Sequence, residues 1–232
     1  MIIDAHTHLH GSVTHNRSIG GEEALCKALD CAGIDRAIVA GLDSLDDNSA
    51  ILRAAHHLPK RVIPFAYMDP KNPQPLETDW CGIGEIYLQC GSAELPREYM
   101  RKIVDISRER KIPILMHSGE YSYTAPFLIG GLAKTFPDVT WIIGHMGSLR
   151  YVFDTIEILR RYSNVYTDTS GMSSPQVLHW AVRAGCAERI LFGSDYPFWD
   201  PVVERTRIEA AKLDSGVKRL ILGENAERLF AG

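Results

Sequence analysis

Eight short runs of β-branched and apolar residues, each followed by a polar or amphipathic stretch, recur from one end of this chain to the other. They lie at residues 2–6, 37–41, 62–67, 82–88, 112–117, 140–145, 165–168 and 190–193. Between them run helical patterns, as at 22–31, 96–110, 125–136 and 149–162. Their apolar residues return every three or four positions, as Met100, Ile103 and Val104 do. Strands that alternate with helices pair in parallel, because a parallel return needs a crossover of about a dozen residues or more. Eight such units predict a closed (β/α)8 TIM barrel. The competing arrangement, an open doubly wound sheet, usually carries a Gly-rich first turn, whereas here the first strand ends in His-Thr-His.

The length of 232 residues suits one small barrel domain spanning 1–232, since such barrels run from roughly 200 to 400 residues. One unit departs from the pattern. The segment DPKNPQPLETDW, between the third and fourth strands, holds three prolines and is short, so a truncated or absent third helix is expected. With 45% hydrophobic and 23% charged residues the composition is that of a folded globular chain. The net charge of −4 comes without any basic block interleaved with aromatics, so no nucleic-acid surface is indicated and a small molecule is the expected partner. The N-terminus turns polar after three residues, unlike a secretory signal, and no run has the length of a membrane span. Five cysteines, with no C-x-x-C pair, point to a reducing cytoplasm.

His6 and His8 stand two apart at the C-terminal end of the first strand, so their side chains share one side, on the catalytic face of a barrel. His117 closes IPILMH, His145 closes WIIGH and Asp195 follows ILFGS. Any one of these alone reads as a hydrogen-bonded structural residue. Together, four of eight strand ends carry metal-ligand side chains, and in a barrel those ends converge on one small space. Unpaired imidazoles and carboxylates there are costly unless a divalent cation compensates them. Glu85, inside the apolar run CGIGEIYLQC, is either an inward ligand or an outward carboxylate paired with a helix cation. Alternation along the fourth strand places Ile83, Glu85 and Tyr87 inward, with Gly84, Ile86 and Leu88 packed outward. His56, His57, His179, His15 and His10 read as structural or solvated, although His10, two beyond His8, lies within reach of the site.

With DAHTH at 4–8, HSG at 117–119, GHMG at 144–147, GSDYP at 193–197 and LGENAERLF near the end, the chain resembles the amidohydrolase superfamily. The likeness is to its amidohydrolase-related group of TIM-barrel metal hydrolases and decarboxylases. It implies His6, His8, His117 and Asp195 as metal ligands, His145 as ligand or catalytic histidine, and Asp4 as an interior support. Some members bridge two metals with a carboxylated lysine on the fourth strand, but this strand contains no Lys. GIGEI is instead similar to the TatD-type nucleases, which implies Glu85 as the bridge of a possible second metal.

Imidazole and carboxylate donors suit zinc, as one or two ions. A zinc ion lowers the pKa of water to about 7 and polarises the bond to be cleaved. Asp195 would take the proton from that water and pass it to the leaving group, while His145 polarises the carbonyl. Hydrolysis of a small-molecule amide, ester or lactone is the first expectation. The alternative is non-oxidative decarboxylation of an aromatic or unsaturated carboxylic acid. Tyr67, Tyr87, Glu120, Tyr121, Arg150, Asp168, Tyr196 and Trp199 stand near strand ends as candidates for shaping the substrate pocket, with Arg150 able to hold a carboxylate.

Overall fold

The eight apolar runs form eight strands of one sheet: β1 (Ile3–Thr7), β2 (Arg36–Ala40), β3 (Val62–Ala66), β4 (Gly82–Ile86), β5 (Ile114–Met116), β6 (Trp141–Ile143), β7 (Val165–Asp168) and β8 (Ile190–Leu191). They come from a computed structural model that describes residues 1–9, 20–42, 45–76, 79–90, 93–94 and 97–230. Sequence neighbours are sheet neighbours, and all pair in parallel. Backbone bonds then join the last strand to the first. Ala5 N–H donates to Phe192 O at 2.7 Å, Asp195 N–H to His6 O at 2.7 Å and His8 N–H to Tyr196 O at 2.7 Å. The result is a nearly closed (β/α)8 TIM barrel.

Helices α1 (Glu22–Ala32), α2 (Leu45–His57), α3 (Arg97–Arg110), α4 (Pro126–Thr135), α5 (Val152–Arg161) and α6 (Gln176–Arg183) follow their strands, and α7 (Pro201–Ala210), α8 (Ser215–Arg219) and α9 (Asn225–Phe230) follow β8. Among the described residues no helix lies between β3 and β4, where three prolines stand. Trp80 and Leu76 from that connection pack against the layer that a third helix would cover. A short antiparallel pair, Gln89–Cys90 with Ala93–Glu94, follows β4 and had no counterpart among the sequence expectations. No described helix is long and apolar enough to cross a membrane.

The strands are buried on both faces, and their side chains alternate between two packed layers with period two. Ala37, Val39, Ile114, Met116, Trp141 and Ile143 face the helices, in one cluster with Leu25, Leu29, Ile103 and Leu132. Ile38, Ala40, Ile63, Phe65, Leu115, Ile142 and Leu191 face inward and pack together. The C-terminal helix closes this inner cluster, with Phe230 edge-on to Phe65 at 5.8 Å between ring centroids. Gly82 gives the Phe65 ring its space, since a Cβ there would lie 2.3 Å from the ring.

Two irregularities prepare the other end. Between Asp4 and Thr7 the register against β2 slips, three steps on β1 matching two on β2, so alternation is reset. Ile3 and Ala5 pack in the inner cluster below, and after the slip His6 and His8 point into the same interior. β4 repeats the device between Ile83 and Ile86. This corrects the strict alternation expected there: Ile83 belongs to the helix-facing layer together with Ile86 and Leu88. The extra residue lets Glu85 turn inward between two outward isoleucines. Gly84 makes the turn possible, because its φ of 139° is open to glycine and a Cβ would meet Leu115 O at 2.5 Å.

Candidate functional site

The inward residues at the C-terminal strand ends are His6 and His8 from β1, Glu85 from β4, His117 after β5, His145 after β6, Asp168 ending β7 and Asp195 after β8. All are buried. The structure therefore brings together every residue proposed as a metal ligand. Five of them fall in two groups that share His6, with His6, His8 and Asp195 in one and His6, Glu85 and His145 in the other, donor atoms lying inside 4.8 Å of one another in each; His117 joins the second through Nδ1, 2.8 Å from Glu85 Oε1 and 3.0 Å from His145 Nε2.

Glu85 stands between two walls. Its Oε2 lies 3.6 Å from His6 Nε2 and 3.7 Å from His8 Nε2, while Oε1 lies 2.8 Å from His117 Nδ1 and 3.1 Å from His145 Nε2. Asp195 Oδ1 completes the first wall, 3.2 Å from His8 Nε2 and 3.8 Å from His6 Nε2. Yet the Nε2 atoms of His6 and His8 are buried and accept or donate no hydrogen bond, since three of these contacts are longer than a hydrogen bond and the fourth, from His8 to Asp195, does not make one. A buried imidazole nitrogen without a partner costs roughly 1–3 kcal/mol. Two of them facing two carboxylates make a donor set that fits a divalent cation.

The far side of each ring is held. His6 Nδ1–H donates to Asp168 Oδ2 at 2.9 Å, and His8 Nδ1–H donates to Ala40 O at 2.9 Å. Ser170 Oγ–H donates to Asp168 Oδ1, leaving its oxygen to accept from His145 Nδ1–H at 2.9 Å. Asp168 Oδ1 also accepts from the backbone N–H of Ser170 at 3.0 Å and of His145 at 3.2 Å. Such bonds to the second ring nitrogen fix tautomer and orientation. Ser170 was absent from the sequence reading. The signal for it was the Asp-x-Ser spacing of a side-chain turn just past β7. Asp4 ties β1 to β8 as a support, its Oδ1 accepting from Ser194 N–H at 2.9 Å and His6 N–H at 3.2 Å.

Backbone geometry at two of these residues is unusual. His145 has φ 61° and Asp195 φ 62°, left-handed values that cost non-glycine residues about 1–3 kcal/mol. The bonds from His145 N–H to Asp168 and from Asp195 N–H to His6 O hold them there.

The charges respond to each other. Burial alone drives Glu85 toward its neutral form, but His117 and His6 beside it, with hydrogen bonds from His117 and His145, hold its carboxyl well below the usual range. Burial pulls His117 down, and the Glu85 charge and the Glu120 hydrogen bond override it, so its pKa is pushed up to about 9. Burial acts on Asp168 too, yet His6 keeps it ionised. Burial raises the Tyr87 phenol, with Glu85, Asp195 and Glu120 adding to the effect.

A pocket of about 180 Å³ opens onto this cluster, lined by Glu85, His117, His145 and Asp195 at its floor and by Tyr87, Glu120, Ser148, Gly171, Phe198 and Trp199 around them. The Tyr87 ring stacks on His117 at 4.2 Å. Of the pocket candidates from sequence, Tyr87, Glu120 and Trp199 line it, and Asp168 lies beneath it. Tyr67 lines a separate hollow with Asn48 and Trp80, and Tyr121 stacks on Tyr123 while largely exposed. Arg150 is exposed and does not line the pocket, and among the described residues no Lys or Arg does. His56 and His57 sit on the surface beside Asp79 and Glu22, and His10 and His15 lie outside the described residues.

A parallel barrel whose strand ends converge on imidazoles and carboxylates defines the class of metal-site (β/α)8 proteins. A family model described as amidohydrolase matches residues 3–232, and the chain belongs to that family. Solved structures agree in fold. A TIM-barrel protein of uncharacterized function from Bordetella bronchiseptica is 18% identical, covers 99% of this chain and 98% of its own, and superposes with a TM-score of 0.78. A 5-carboxyvanillate decarboxylase from Sphingomonas paucimobilis is 13% identical, with coverage of 99% and 98% and a TM-score of 0.73. A dihydroxybenzoic acid decarboxylase from Polaromonas, solved with manganese and the inhibitor 2-nitroresorcinol, is 18% identical, with coverage of 99% and 96% and a TM-score of 0.71. No curated protein shows significant sequence similarity to the chain.

Proposed function

We propose that this protein is a divalent-cation-dependent enzyme that removes CO2, without oxidation, from a small planar aromatic or unsaturated carboxylic acid. The observation that carries this reading is a pocket with aromatic walls, Tyr87, Phe198 and Trp199, that opens onto the His6, His8, Glu85, His117, His145 and Asp195 cluster. Among the described residues three carboxylates and no Lys or Arg line it, so a cation there would receive an acid substrate. The similarity to decarboxylases along nearly the whole chain favours this reaction over the hydrolysis that the sequence first suggests.

His6, His8, Asp195 and Glu85 Oε2 would hold an inner cation, and Glu85 Oε1, His117 Nδ1 and His145 Nε2 an outer one; zinc or manganese suits these donors. When bound, the cation neutralises and orients the substrate's anionic oxygens. The aromatic walls hold the ring flat and exclude water. Asp195 delivers a proton to the carbon that bears the carboxylate. The bond to the carboxylate carbon then breaks, its electron pair returns to the unsaturated system, and CO2 departs. A solvent proton restores Asp195. The unpaired thiols of Cys26, Cys31, Cys81 and Cys186 support a reducing, cytoplasmic setting.

Hydrolysis is the second reading, and Glu85 favours it, because a carboxylate with one oxygen toward each wall suits a two-cation centre that activates water. Asp195 would then accept the proton of water and pass it to the leaving group. Protein loaded with manganese or zinc, offered hydroxylated benzoates in D2O, should release CO2 and place one deuterium in the product. Amide, ester and lactone cleavage in a parallel panel, with no CO2 from any acid, would reverse the assignment.

A further inference from the structure

Each of the four site histidines turns one nitrogen into the shared space and ties the other, but His117 does so the opposite way round. His6, His8 and His145 are tied through Nδ1, to Asp168, Ala40 O and Ser170, all buried. His117 is tied through Nε2, to Glu120 Oε2 at 2.7 Å, and presents Nδ1 to Glu85 Oε1 at 2.8 Å and His145 Nε2 at 3.0 Å. The Glu120 side chain is 50% exposed and stands three residues past His117, at the pocket wall.

A neutral imidazole has a single N–H. When the Glu120 carboxylate accepts it, the Nδ1 lone pair faces inward as a ligand. Without Glu120, the better bond on offer is Nδ1–H to Glu85 Oε1. That bond would use the His117 nitrogen and one Glu85 oxygen together, two of the three donors of the outer group. The inner group has no comparable dependence, since Asp168 and the Ala40 carbonyl, both inside the barrel, set its tautomers.

We propose that Glu120 is the positioning residue that sets the occupancy of the outer cation position, and that the inner position is independent of it. The inference rests on the two-cation reading given above. The wild type, Glu120→Ala and Glu120→Gln are stripped with chelator and dialysed against graded free Mn²⁺. Bound manganese is then counted by elemental analysis, and electron paramagnetic resonance reports a coupled pair.

The wild type should take up two ions per chain. In Glu120→Ala the first should bind as in wild type, while the second weakens by about 10- to 100-fold, the usual effect of losing such an outer partner, and the coupled signal disappears. Glu120→Gln, whose amide oxygen accepts the same N–H, should lie between the two. Two ions of unchanged affinity in Glu120→Ala, or equal loss of both, would overturn the role of Glu120 while leaving two-cation binding intact. Only one ion in the wild type would instead remove the two-cation reading, and this inference with it.

Discussion

The two ends of the barrel interior are built by the same strands and spend their burial on opposite things. At the N-terminal end, Ile3, Ile38, Ile63, Phe65, Leu115, Ile142 and Leu191 interlock and α9 seals them with Phe230. At the C-terminal end, a few residues further along those strands, the described interior holds the imidazoles of His6, His8, His117 and His145 and the carboxylates of Glu85, Asp168 and Asp195, all buried. Burying an apolar side chain stabilises by about 1.5–3 kcal/mol, whereas a buried charge costs several unless it is compensated. The lower end thus supplies stability, and the upper end draws on it. Register slips in β1 and β4 mark the boundary, since they let His6, His8 and Glu85 enter an interior that regular alternation would close to them.

This contrast can be broken most sharply at Asp195. Asp195→Asn should lower turnover by about 10²- to 10⁴-fold, the usual contribution of a proton carrier, while circular dichroism and unfolding midpoint stay near wild type. Full activity in the Asn variant would remove the residue from the chemistry. The complementary change is Phe65→Ala at the packed end. It should cost about 3–5 kcal/mol in urea unfolding, with bound metal per folded chain unchanged. A loss of metal with little change in stability would show that the two ends are not separable.

Cation binding should offset part of what the upper end costs. At a free manganese or zinc concentration about 100 times the dissociation constant, unfolding should become harder by about 2.7 kcal/mol, and chelator should reverse the gain. An unfolding midpoint indifferent to metal would contradict the assigned ligands.

A shallower effect follows from pH in cation-free protein. The folded-state pKa of His117 is pushed up to about 9, above the ordinary imidazole value of 6.5. Its stabilising contribution is therefore complete below about pH 6.5 and is lost as pH rises through about 9, with a slope of at most about 1.4 kcal/mol per pH unit. Urea titrations between these limits should show it, and His117→Gln should flatten it. Metal should bind more tightly over the same interval, because the cation and the proton compete for one nitrogen.

Much of the barrel was legible from the chain alone. Strand runs alternating with helical runs specify parallel pairing through the length of the crossover, and three prolines remove a helix whose backbone they cannot complete. The convergence of His6, His8, His117, His145 and Asp195 was legible for the same reason: barrel closure carries the ends of all strands to one place. Glu85 was legible as an inward residue, though by an argument that also placed Ile83 inward. Alternation is a rule about regular strands, and the sequence carries no sign of a bulge beyond the glycine at position 84. The residues behind the candidate ligands were legible only in part: Asp168 and Glu120 stood out by their place near strand ends, not by what they hold, and Ser170 did not stand out. Ser170 and Glu120 make hydrogen bonds to a particular ring nitrogen, and Arg150 is exposed outside the pocket lining. Strand order and the candidate ligands are set by local pattern, whereas which nitrogen faces inward depends on contacts between residues as far apart as His6 and Asp168, which only the closed barrel brings together.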